Sequence, residues 1–192
     1  MTIQVPHVPR QSAVLRRLAM LAALLSLSTA AVYGEEVSKE YQIKAAFVYN
    51  FTKFISWPAQ SFAAADSPIV IGVLCQTAIA AELETTVKNR KVNGRAIAVL
   101  RMNGPEQAGS TNLVFVCASE DAQFATVRKA IANSPVLTVG ESASFAQQGG
   151  MINFVLEGDK VRFEINADSA ENAGLKISAQ LQKLALSVRR GP

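Results

Sequence analysis

Residues 69–74 read IVIGVL and residues 112–117 read NLVFVC. Neither run alternates apolar with polar residues. Short continuous apolar runs of this kind are expected of strands buried on both faces, and such strands belong to parallel sheets covered by helices. The neighbouring segments supply the helices. Residues 77–88 place Ile79, Leu83 and Val87 at i, i+4 and i+8, which predicts a helix. Asn93-Gly94 turns the chain into a strand over 96–101, and Asn103-Gly104-Pro105 breaks it. Beyond the second apolar run, Ser119 is expected to cap a helix whose first turn holds Glu120 and Asp121, where the helix dipole favours acids. Pro135 precedes a short strand at 136–139, and residues 142–148 read as a short helix.

On the N-terminal side, residues 38–56 read as a helix. Tyr41, Ala45, Val48 and Ile55 form one stripe and Phe47, Phe51 and Phe54 a second beside it. Trp57-Pro58 ends it, because the residue before a proline avoids helical geometry. Such a helix packs on a sheet, or offers part of its aromatic face to a partner. On the C-terminal side, residues 151–156 and 161–165 are strands joined by Glu157-Gly158-Asp159-Lys160, a hairpin turn. Val161, Phe163 and Ile165 point one way, and Arg162, Glu164 and Asn166 the other. Asp168 with Glu171 has the spacing of a capping box, and a closing helix is expected to carry Ile177, Leu181, Leu184 and Val188 on one face. The fold class is therefore α/β: a mostly parallel central sheet flanked by helices on both faces, with an antiparallel C-terminal hairpin and a closing helix.

Residues 1–34 have the layout of a cleaved export signal. Arg10, Arg16 and Arg17 give a positive start, residues 18–27 a short apolar core, and Ser28-Thr29-Ala30-Ala31 small residues for cleavage after Ala30, Ala31 or Gly34. The mature chain is then residues 35–192, one domain, and no second apolar run approaches membrane-spanning length. The formal net charge of +4 falls to about +1 once the three signal arginines leave, so no basic surface for nucleic acid or anionic lipid is implied. His7, the one histidine, leaves too.

That loss excludes Ser-His-Asp and Cys-His chemistry and the usual zinc sites. No dinucleotide or nucleoside-triphosphate loop occurs, and Gly149-Gly150 precedes a strand, so it reads as a turn and not a phosphate cradle. No cofactor or metal is expected. Glu164, inside a strand between apolar neighbours, reads as a solvent-facing residue of a half-exposed hairpin or as part of a salt bridge or binding surface. The two mature cysteines, Cys75 and Cys117, each end an apolar strand. An even count in an exported chain argues for a bridge between them, with two buried free thiols as the alternative.

Three ordered stretches carry a resemblance: IKAAFVYNFTKFISWP at 43–58, GGMINFVLEGDKVRFEIN at 149–166, and Gly174-Leu175-Lys176-Ile177-Ser178 followed by Leu181, Leu184 and Ala185. Together they resemble the opening helix, closing hairpin and last helix of the YfiR/HmsC-like periplasmic family. The resemblance implies a regulator that binds the periplasmic sensory domain of an inner-membrane diguanylate cyclase and represses it. Cyclic-di-GMP and biofilm or exopolysaccharide output then fall. It implies binding without a chemical step, no nucleic acid and no direct membrane insertion, and leaves a homodimer open. Some relatives carry a second cysteine pair flanking the Gly-Gly segment; residues 142–153 here contain none, which puts redox control through that bridge in doubt. A periplasmic small-molecule or envelope-component binding module without a cyclase partner is the competing class. Arg162, Glu164 and Asn166, with Lys176 nearby, are the residues expected to meet a partner, since an interface needs a few oriented charges beside apolar anchors.

Overall fold

The computed structural model describes residues 39–190 apart from 76, 77 and 133. The export-signal reading of residues 1–34 lies outside the described residues. Helix α1 covers 39–54 and leads into the short strand β1 (Ile55–Ser56). The central elements follow as β2 (Ile69–Leu74), α2 (Ile79–Val87), β3 (Lys91–Val92), β4 (Arg95–Arg101), β5 (Leu113–Val116), α3 (Phe124–Ala130) and β6 (Leu137–Gly140). The C-terminal third contains β7 (Ile152–Glu157), β8 (Lys160–Asn166), α4 (Ala167–Asn172), β9 (Lys176–Ile177), α5 (Ala179–Leu184) and β10 (Ser187–Arg189).

Eight strands form one sheet in the order β10-β8-β7-β6-β5-β2-β4-β3. The five central strands β7-β6-β5-β2-β4 are mutually parallel. The hairpin β7–β8 is antiparallel, with Phe154 opposite Phe163 and a two-residue turn at Gly158-Asp159. β1 and β9 make a separate antiparallel pair. The expected class, a mostly parallel sheet with an antiparallel C-terminal hairpin, is the observed one.

Strand alternation divides the core. Ile69, Ile71, Val73, Leu113, Phe115, Leu137 and Val139 pack with α1 and α2 on one face. Leu74, Val114 and Val116 pack with Phe124 and Val127 of α3 on the other. The aromatic helix α1 is a core helix. Phe51 is fully buried, with its ring centroid 5.1 Å from that of Phe163 and 5.7 Å from that of Phe154. Phe47 lies 5.6 Å from Phe163. At the end of this region Trp57 donates its indole N–H to the Asn112 carbonyl, and the Asn112 side chain accepts from the Val70 amide. These bonds tie α1 to β2 and β5.

Four local expectations are corrected. Ser119 does not cap a helix: residues 118–123 form a 3-10 segment, with Cys117 at its N-cap position, and α3 begins only at Phe124. Residues 142–148 form successive turns and no helix. Their polar side chains bond Asp121, and Gly149 at φ +88° ends the segment. The cap of α4 is Asn166, whose side chain accepts from the Ser169 amide, so Asp168 stands inside the helix. The closing helix is split. Gly174 has φ +76°, Lys176-Ile177 pair with β1, Ser178 caps α5, and the chain is extended again at Ala185 before β10. Ile177, Leu181, Leu184 and Val188 therefore share a helical spacing in sequence without sharing a helix.

Gly149-Gly150 is a turn, as read. Gly149 has φ +88°, and a Cβ on Gly150 would stand 2.1 Å from the Phe145 ring. Phe145 in turn packs 4.2 Å from Phe124. Among the described residues no helix is long and apolar enough to cross a membrane.

Candidate functional site

Two regions gather polar groups. The first is the outer face of the hairpin. β8 buries Val161, Phe163 and Ile165, and holds Arg162, Glu164 and Asn166 partly exposed on its other side. Register places Val155 opposite Arg162 and Asn153 opposite Glu164. β10 extends this face, with Ser187 beside Glu164 and Arg189 beside Asn166. Ser187 Oγ donates to Glu164 Oε1 at 3.1 Å. The residue that Glu164 meets is thus a serine, and its carboxylate has no ion-pair partner among the described residues. Below this row, Asn166, Asp168, Glu171 and Arg189 line a cleft of about 440 Å³. The structure brings Arg162, Glu164 and Asn166 together on one face. Lys176 lies in β9, paired with Ser56 of the separate two-stranded sheet, and is exposed there.

The second region lies at the carboxyl ends of the parallel strands. The chain runs from β2 outward to β4 and then back to β5 on the opposite side of β2, so the strand order reverses between β2 and β5. That is where open α/β sheets leave a crevice for ligands. Here the Cys75–Cys117 disulfide joins the two strand ends, with a Cα–Cα distance of 5.2 Å, inside the usual range for a bridge. The bridge occupies the switch point itself.

Beside it, β6 stops at Gly140, opposite Asn153, while β7 runs on to Glu157. Among the described residues no strand pairs with the edge of β7 beyond Asn153 on that side, and a cleft of about 470 Å³ opens there. Glu40, Tyr41 and Lys44 of α1, Glu141 and Ser142 after β6, and residues 153–156 of β7 line it. Lys44 is 5% exposed and bonds Glu141 Oε2 at 2.6 Å and also Glu40. Glu141 Oε1 accepts from the Ala118 amide at 3.2 Å, next to Cys117. Burial disfavours the charge on Lys44, but its bonds to Glu141 and Glu40 outweigh that and hold its pKa above the ordinary 10.5. A few residues away Asp121 accepts from Ser142, Ser144 and Gln148. These donors, the Ser142 hydroxyl first, hold its carboxyl below the ordinary 3.8 against the opposing effect of burial.

Lys44, Glu141, Asn153 and Asp121 were not singled out as candidate site residues from sequence. Lys44 and Glu141 stand 97 positions apart, and no linear spacing announces such a pair. Glu120 and Asp121 read as helix-capping acids, which hid the role of Asp121 as the anchor of a loop. Among the described residues no group of three or more potential ligands could hold a metal ion.

Two solved structures are similar in part. One is a conserved domain protein from Vibrio cholerae O1 biovar El Tor, 13% identical, with 63% of this chain covered, 55% of that chain, and a TM-score of 0.46. The other is the ABC domain in complex with L-Trp from Streptococcus pneumonia, 14% identical, with 62% of this chain covered, 55% of that chain, and a TM-score of 0.44. The aligned part spans little more than half of each of those chains, and neither likeness bears on function. A family model described as YfiR/HmsC-like matches residues 41–186, from α1 through α5 to the residue before β10. This chain belongs to the YfiR/HmsC-like family.

Proposed function

We propose that this protein is a periplasmic regulator that represses an inner-membrane diguanylate cyclase by binding its periplasmic sensory domain, so that cyclic-di-GMP and biofilm output fall. Family membership across residues 41–186 carries the reading. The polar row on β8 supports it with a surface of suitable kind. Arg162 and Glu164 are partly exposed, and neither has an ion-pair partner within the described residues. Exposed Leu184 and Leu186 stand on the segment leading into β10, giving apolar anchors close by. The activity in this reading is binding, with no bond made or broken.

The test is capture of a cyclase. The tagged, exported protein is incubated with solubilised inner membrane, and retained proteins are identified by mass spectrometry. A retained diguanylate cyclase, together with a rise in cyclic-di-GMP when the gene is deleted, supports the proposal. No retained cyclase and no change in cyclic-di-GMP overturns it.

A further inference from the structure

The sheet ends on its β3 side in an edge that is mostly uncovered. β3 has two residues and pairs with β4 only at Arg95 and Ala96, whereas β2 pairs with β4 from Ile97 to Arg101 on the other side. Among the described residues, then, no strand meets the outer edge of β4 from Ile97 onward. Alternate N–H and C=O groups of such an edge face outward and can pair with another chain. A groove of about 480 Å³ opens beside it, between β4 and the end of α2. Val87, Ile97 and Val99 give it an apolar floor, and the two β4 side chains are only partly buried.

The rim is basic. Lys88, Arg90 and Lys91 line the groove, are exposed, and have no ion pair among the described residues. Glu84 is the carboxylate that lines it, and both its oxygens are taken by the Arg101 guanidinium, at 2.8 Å and 2.9 Å. The Arg90 guanidinium lies 4.8 Å from the centroid of the Tyr49 ring, and Lys53 Nζ lies 4.2 Å from the same centroid. Lys53 of α1 thus adjoins the rim and adds to its charge. Charges on an edge strand usually guard it against pairing, and these guard it selectively. A second copy of this chain would set the same cations against each other, whereas a strand bearing carboxylates would be attracted.

We infer that the outer edge of β4 is a docking site for an extended, acidic segment of a partner protein. The segment adds as a strand beside residues 97–101, lays apolar side chains on Val87, Ile97 and Val99, and presents carboxylates to Lys88, Arg90 and Lys91. In strand addition of this kind main-chain pairing supplies affinity and the side-chain surface supplies specificity. An anionic membrane surface would use the cations but neither the apolar floor nor the free backbone edge. The pairs β3-β4 and β10-β8 stand at opposite ends of the sheet. The inference therefore does not rest on cyclase binding by the outer face of β8, and the two proposals fail independently.

The probe is the peptide Ac-Glu-Val-Glu-Val-Glu-Val-Glu-NH2, titrated into the purified protein and followed by isotope-edited NMR and amide hydrogen exchange. It should bind saturably, at millimolar strength or tighter, with the largest shifts within 88–101 and new exchange protection at alternate residues of 97–101. The same peptide with lysine for each glutamate should bind at least about tenfold more weakly. So should the peptide with glycine for each valine, which keeps the charge but loses the apolar side chains and the preference for an extended chain. Lys88→Glu combined with Lys91→Glu, both at exposed positions, should weaken the acidic peptide by a similar factor and strengthen the lysine peptide, with the melting temperature nearly unchanged. If that variant does not fold, the comparison of the three peptides on the wild-type protein decides the matter. Equal binding of the acidic and lysine peptides, equal binding of the valine and glycine peptides, or binding without protection within 97–101 overturns the inference. Retention of the protein on phosphatidylglycerol vesicles without saturable peptide binding also overturns it, and assigns the cations to a membrane surface.

Discussion

The hairpin β7–β8 presents two faces built from alternating residues of the same two strands. On the inner face Phe154, Phe163 and Ile165 are buried beneath α1, with Phe47 and Phe51 as the covering rings. On the outer face Val155, Arg162, Glu164 and Asn166 are only partly covered, while Asn153 is buried. The inner face is where removing water stabilises the fold. The outer face contributes little burial, so its residue types are free to serve recognition. Each strand thus alternates a buried residue with a partly exposed one over much of its length, and single substitutions on the two faces should differ in kind.

Phe51→Ala attacks the inner side most directly. Its ring is fully buried among Phe47, Phe154 and Phe163, and truncation leaves a cavity that rigid β-strands cannot close. We expect a loss of about 3–5 kcal/mol, read as a lower urea midpoint with an unchanged slope. Arg162→Ala on the outer face should move the same midpoint by less than about 0.5 kcal/mol. If the two cost the same, the division between faces is wrong.

Replacing both cysteines by serine comes next. The bridge links residues 42 apart and fastens β2 to β5 at the core that the inner face shares. Restricting the unfolded chain by a loop of that length is worth about 4 kcal/mol in the chain-entropy model, and about 2–4 kcal/mol is the typical measured range. The double variant should melt lower, while partner capture at matched folded concentration stays intact. Capture lost beyond the fraction unfolded would tie the bridge to recognition instead.

Much of the inner side was legible in sequence. IVIGVL and NLVFVC are buried on both faces, so their composition alone declares central parallel strands, and the doubled aromatic stripe declares α1. The C-terminal connections were less legible because a period and a local cap competed. Ile177, Leu181, Leu184 and Val188 fit a helix, yet Gly174 at φ +76° and Ser178 bonding the Leu181 amide cut the segment into β9, α5 and β10. The same competition placed the α4 cap at Asn166 and not Asp168. The cleft was the least legible part. Its groups come from α1, the end of β6 and the middle of β7, and only the tertiary fold brings them together. Arg162, Glu164 and Asn166 were readable because strand alternation alone puts them on one face, whereas Lys176 is drawn to another sheet by a pairing that no periodicity signals.

A smaller effect concerns the turn segment after β6. Asp121 accepts from three side chains of residues 142–148, and its carboxyl is held below the ordinary 3.8. A carboxyl with a depressed folded-state pKa contributes stability that is full above its unfolded pKa and is lost as pH falls through the folded one. Asp121→Asn should therefore lower the melting temperature by a few degrees at about pH 6. The gap from wild type should narrow progressively below about pH 4. A gap independent of pH down to about pH 2 would show that the three bonds do not depend on the carboxylate charge.

Glu164→Lys should have the smallest effect on the fold and bears most on function. Glu164 lies in the middle of the outer row, between Arg162 and Asn166, and its carboxylate accepts from the Ser187 hydroxyl. That bond crosses from β8 to β10, where the backbone register already holds Ser187 beside Glu164. Losing it should change stability by no more than about 0.5–1 kcal/mol. If this face meets the cyclase, reversing a charge at its centre places a repulsive group against whatever basic feature the carboxylate engages, and the interface weakens through its dissociation rate. The expected result is a melting temperature nearly that of wild type with at least about tenfold weaker capture of the periplasmic domain. Stability and capture falling together would mark Glu164 as a structural link between β8 and β10. Capture unchanged with a normal melting temperature would move the interface off this face altogether, toward Leu184 and Leu186 or the exposed turns beyond α1.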